Sequence, residues 1–122
     1  MANYESKIID SAKELTARER LKFKDSNDAT ALDAATDEGE VYITPVNYAI
    51  VEVHNDASPN KEYHKYVIVD ADGTFYTTGS ESFWRSFKSI WDEMFGEDED
   101  WKVKVFKRDG KSGKKFITCS IV

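Results

Sequence analysis

The strongest periodicity in the chain runs from Ser80 to Phe95. Phe83, Phe87, Ile90 and Met94 recur every three or four residues, and Trp84, Trp91 and Phe95 widen the stripe. The positions between them are polar. Thr78 with Glu81 (a capping box), or Ser80 alone, supplies an N-cap, and Gly96 a stop. This predicts one amphipathic helix whose large apolar face is suited to plugging an end of a β-barrel.

Around it the period switches to two. Val41 to Asn55 reads as a long strand with a bulge or bend at Pro45, which cannot donate a ladder hydrogen bond. Beyond the bend Ala49, Val51 and Val53 face one way, and Tyr48, Ile50, Glu52 and His54 the other. Asp56 to Asn60 is a polar loop. Tyr63–Asp70 and Thr74–Thr78 form a hairpin around Asp70-Ala-Asp-Gly73, where Gly73 supplies the positive φ of the turn. Both faces of Tyr66-Val-Ile-Val69 are apolar, as in a central strand covered on one side and binding something on the other. After the acidic link Glu97–Asp100, Trp101, Val103 and Val105 alternate with Lys102, Lys104, Phe106 and Arg108. In the last strand Ile117, Cys119 and Ile121 point inward, and Phe116, Thr118 and Ser120 outward.

Upstream, Tyr4, Ile8, Ala12 and Leu15, with Ile9 beside them, predict a helix over 4–15 capped by Asn3. Arg20 to Asp25 reads as a short strand, and 25–40 as a loop with one weak helical turn. From Val41 onward the order is strand, strand, strand, helix, strand, strand. That is the order of an OB-fold, a five-stranded, partly open barrel that binds oligonucleotides or oligosaccharides. The expected architecture is mainly β: one OB-fold-like domain over 1–122, with an N-terminal helical extension over about 1–38.

The 122 residues suffice for a core without disulfide or metal staples. The single cysteine excludes an internal disulfide framework, and no apolar run reaches the length of a membrane span. No apolar signal segment opens the chain, so a cytoplasmic protein is expected. The net charge of −6 argues against a polyanionic partner until its distribution is considered. Residues 101–122 carry Lys102, Lys104, Lys107, Arg108, Lys111, Lys114 and Lys115 against Asp109 alone. That is a net of +6, leaving −12 for the remainder, and local potential is what attracts a polyanion.

Motifs for catalysis are missing. His54 and His64 with one cysteine make no zinc set. Asp70-Ala-Asp-Gly73 lacks the ligands of a calcium loop. Gly110-Lys-Ser-Gly-Lys-Lys115 lacks the spacing and following helix of a P-loop. Cys119 has no activating partner and reads as a buried thiol. A non-enzymatic protein without cofactor is expected.

Binding to single strands needs cations for the phosphates and flat side chains on which bases stack. The face Lys102, Lys104, Phe106, Arg108 offers both, and Lys111, Lys114 and Lys115 extend the charge into the hairpin loop. Tyr63, Lys65 and Tyr76 are candidate additions from the neighbouring hairpin, and Tyr48, Tyr66 and Phe75 further platform aromatics. Which of Phe75 and Tyr76 faces outward depends on hairpin register.

Four segments carry a family resemblance: Tyr66-Val-Ile-Val-Asp70, Thr77-Thr-Gly-Ser-Glu-Ser-Phe83, Phe116-Ile-Thr-Cys-Ser-Ile-Val122 and Met1-Ala-Asn-Tyr-Glu-Ser-Lys-Ile-Ile9. They resemble small phage and prophage proteins of Gram-positive bacteria, described as single-stranded DNA-binding proteins of phage replication and recombination. The resemblance implies protection of single-stranded DNA, with RNA as an alternative strand. It also implies phage replication or recombination proteins as partners; further copies of the chain are a candidate partner, and no membrane is expected because no apolar run is long enough. One departure is the ending Ile121-Val122, where cellular single-strand-binding proteins carry an acidic recruiting tail. The rival expectation is a regulatory module that binds a host protein through its acidic surface.

Overall fold

The computed structural model describes residues 4–25, 29–57, 59 and 61–122. Asn3, the expected N-cap, and Ser58 and Asn60 of the polar loop lie outside the described residues. The elements run β1 (Tyr4–Ser11), α1 (Ala17–Lys24), β2 (Thr30–Ala31), α2 (Leu32–Ala35), β3 (Val41–Ile43), β4 (Pro45–Asn55), β5 (Glu62–Asp70), β6 (Phe75–Thr78), α3 (Glu81–Met94), β7 (Val103–Asp109) and β8 (Lys115–Ile121). The strands form two sheets, ordered β1-β4-β5-β6-β2 and β3-β7-β8.

The long strand breaks at Pro45, as its missing N–H requires. β3 joins β7 in the smaller sheet, while β4 pairs with β1 and β5 in the larger. The Asp70 carboxylate accepts from Thr44 N–H at 3.0 Å and fixes the corner. One bent segment thus serves both sheets. Among the described residues they do not close: β8 pairs only with β7, and β6 with β5 and β2. The domain is mainly β, as expected, with eight strands in two sheets and no closed barrel among the described residues. No helix among the described residues is long and apolar enough to cross a membrane.

Helix α3 begins at Ser80, whose hydroxyl accepts from Phe83 N–H, and ends as predicted at Phe95 and Gly96, the latter at φ +88°. Its Phe83, Trp84, Phe87 and Trp91 are buried against Tyr48, Tyr66 and Ile68 of the larger sheet and Val103, Val105, Ile117 and Cys119 of the smaller. Trp84 stacks on Tyr66 (centroids 4.8 Å apart) and meets Tyr48 edge-on at 5.0 Å. Tyr48 and Tyr66 are therefore core residues, not part of a binding platform. Phe95 stays exposed and stacks on Trp91.

The N-terminal region differs from expectation. Residues 4–11 form an edge strand, not a helix, because apolar positions four apart share a face under a period of two as well as 3.6. The free edge of β4 decides between them, and Ile9 bulges where the register shifts between Ile8 and Asp10. The predicted strand at Arg20–Asp25 is the second half of α1. Thr16 and Glu19 cap α1 reciprocally, at 3.0 and 3.2 Å. Leu15 and Phe23 then cover Ala49, Val51, Val53 and Val67. Residues 66–69 are thus packed by protein on both faces, correcting the expectation that one face binds a partner.

Candidate nucleic-acid interface

The smaller sheet has one buried and one solvent-facing side. Ile43, Val103, Val105, Ile117 and Cys119 point toward α3, and burial pushes the Cys119 thiol up to about 12. Ile121 keeps this parity but lies 48% exposed at the sheet end. Residues opposite one another across antiparallel strands share a face. Tyr42 lies opposite Lys104, Lys104 opposite Ser120, Phe106 opposite Thr118, and Arg108 opposite Phe116. Three aromatic rings, Tyr42, Phe106 and Phe116, are thus interleaved with Lys104 and Arg108 on the outer side.

The rings are accessible. Tyr42 is 49% and Phe116 43% exposed, and Phe106 is partly exposed. The Lys104 ammonium lies 5.1 Å from the Phe106 ring centroid, in cation–π range. Lys102 is exposed at the start of β7, where its carbonyl accepts from Val122 N–H at 2.9 Å. At the other end, Gly110 N–H donates to the Lys114 carbonyl at 2.7 Å and Gly113 takes φ +80°. A side chain at residue 110 would meet that carbonyl at 2.8 Å and the Phe116 ring at 3.6 Å, so the bare glycine keeps the turn tight beside Phe116. Lys111, Lys114 and Lys115 project from this turn and are exposed.

Acidic side chains of the segment before β3 reach one cation on each side of β7. The Glu40 carboxylate accepts from the Tyr42 hydroxyl at 3.3 Å and lies 3.4 Å from Lys104 Nζ. Lys107, on the inner side of β7, pairs with Asp37.

The structure brings together Lys102, Lys104, Phe106, Arg108, Lys111, Lys114 and Lys115 on one hairpin. It does not bring Tyr63, Lys65 and Tyr76 to them, because these belong to the larger sheet. Lys65 donates to the Lys24 carbonyl at 3.1 Å, and burial lowers its pKa. Tyr63 packs with Val67 on the α1 side, and Tyr76 against the α3 core, where burial raises its phenol pKa. Phe75 meets Phe23 edge-on at 5.2 Å.

Sequence reasoning overlooked Tyr42. Its signal was the alternation Val41-Tyr42-Ile43 ahead of Pro45, the same in–out–in pattern that located Phe106. His54 is also more engaged than expected, with Nε2 2.8 Å from Asp56 and Nδ1 3.4 Å from Glu62. Hydrogen bonding to Asp56, then to Glu62, raises its pKa above the usual 6.5. Comparison with protein families, curated proteins and solved structures finds no match for this chain.

Proposed function

We propose that this is a non-enzymatic single-stranded DNA-binding protein of the OB-fold type, protecting strands during phage replication or recombination. The observation that carries the reading is the outer side of β3-β7-β8. There, three solvent-facing rings alternate with cations across three paired strands, beside a basic turn. Stacking needs the rings and backbone neutralisation needs the cations. Folding alone calls for neither on a solvated face.

Topology adds support. The bent segment β3/β4, then β5, β6, α3, β7 and β8, follow one another in the order of an OB-fold. In that frame the β7–β8 turn is the loop between strands four and five, one of the two loops with which such folds bind oligonucleotides. The outer side of β5, also used by OB-folds, is covered here by Leu15 and Phe23. The proposed path therefore runs over β7 and β8. A titration with fluorescent oligo-dT at two salt concentrations, with duplex of equal length as control, tests the reading. Salt-dependent preference for the single strand supports it. Failure to bind, with capture of a defined host protein, favours the regulatory alternative.

A further inference from the structure

We propose that the Glu40 carboxylate occupies the seat of a backbone phosphate. In this reading Lys104 Nζ and the Tyr42 hydroxyl form an anion subsite that the protein's own carboxylate fills until a strand replaces it. The inference rests on the reading of this sheet face as a single-strand interface and names the phosphodiester subsite within it.

Three observations lead there. Both donors converge on one carboxylate, the hydroxyl at 3.3 Å on one oxygen and the ammonium at 3.4 Å from the other. An ammonium and a hydroxyl suit a phosphodiester oxygen as well as a carboxylate oxygen. The carboxylate also sits where a strand needs an anion site. Tyr42 supplies one of the flanking rings, and the Phe106 ring lies 5.1 Å from the same ammonium. A single strand alternates phosphates with bases, so a cation between two accessible rings matches its repeat. Finally, the contact is exchangeable, since the Glu40 side chain is 51% and the Lys104 side chain 34% exposed. Exposed ion pairs of this kind contribute little to stability, so opening it costs the fold little.

Glu40→Gln removes the competing charge and retains an oxygen for the Tyr42 hydroxyl. Binding to fluorescent oligo-dT at low salt should tighten about two- to fivefold, the range an exposed ion pair spans. The salt slope should steepen, because the wild-type carboxylate, once displaced, takes up a cation that offsets part of the release from DNA. Thermal stability should hold. Adding Tyr42→Phe to Glu40→Gln should return part of the gain. If folded Glu40→Gln binds equally or more weakly while wild type binds, Glu40 only positions its neighbours and the inference is overturned. If neither protein binds oligo-dT, the sheet-face reading falls and takes the subsite with it. Binding by Glu40→Gln alone supports both.

Discussion

The Lys104 ammonium rests 5.1 Å from the centroid of the Phe106 ring, on a sheet side whose reverse buries Val103, Val105, Ile117 and Cys119 against α3. The two side chains offer a strand its two requirements, charge and a flat surface, at neighbouring positions. They also make those requirements separable by mutation.

Phe106→Ala should cost about 1–3 kcal/mol of oligo-dT binding, the range for loss of one stacked base. It should leave the salt slope in place, since no cation is removed. Stability should fall by no more than about 1 kcal/mol, the scale of an exposed cation–π contact. Fluorescence titration at several salt concentrations, alongside urea unfolding, checks all three. A large stability loss with unchanged affinity would place Phe106 in a structural role.

Phe87 is fully buried, with the rings of Tyr48, Phe83, Trp84 and Trp91 around it. Phe87→Ala should lower unfolding free energy by about 3–5 kcal/mol. Trp91→Ala should act similarly. An unchanged denaturant midpoint for either would show that this helix face is not the core that joins the two sheets.

Much of this was readable from residue order. The α3 stripe has one period and one stop, and of its two candidate caps the structure uses Ser80. The β7–β8 alternation was equally plain because Val103, Val105, Ile117, Cys119 and Ile121 recur at every second position of the two strands. The errors lie where local signals were ambiguous. Tyr4 and Ile8 share a face in either a helix or a strand, and only the open edge of β4 selects the strand. At α1, the alternation of Leu21 and Phe23 mimics a strand, and the Thr16–Glu19 capping box upstream is the signal for the helix that the reading lacked. The candidate face was legible where it lies along one hairpin. That Tyr63, Lys65 and Tyr76 fall in the other sheet, and that Tyr42 joins the β7 face, was not legible, because division of the strands between two sheets depends on long-range pairing at Pro45.

His54 gives a pH prediction. Its folded pKa is raised above the usual 6.5, by the hydrogen bond to Asp56 first and by Glu62 after it. The stabilisation is therefore fully present below the unfolded pKa and is lost as pH rises through the folded value. The difference in melting temperature between wild type and His54→Gln should be largest below the unfolded pKa of about 6.5 and shrink as pH rises above it. A difference that grows with pH would contradict the assignment.

The central claim is that single strands lie across the outer side of β3-β7-β8. Its most direct test compares the salt dependence of oligo-dT affinity in wild type and in Lys102→Ala/Lys104→Ala. Each lost phosphate contact should flatten the slope of log affinity against log salt by about 0.7, so the double variant should fall short of wild type by roughly one to two units. A folded double variant with the wild-type slope would show that the strand, if bound, does not cross this face.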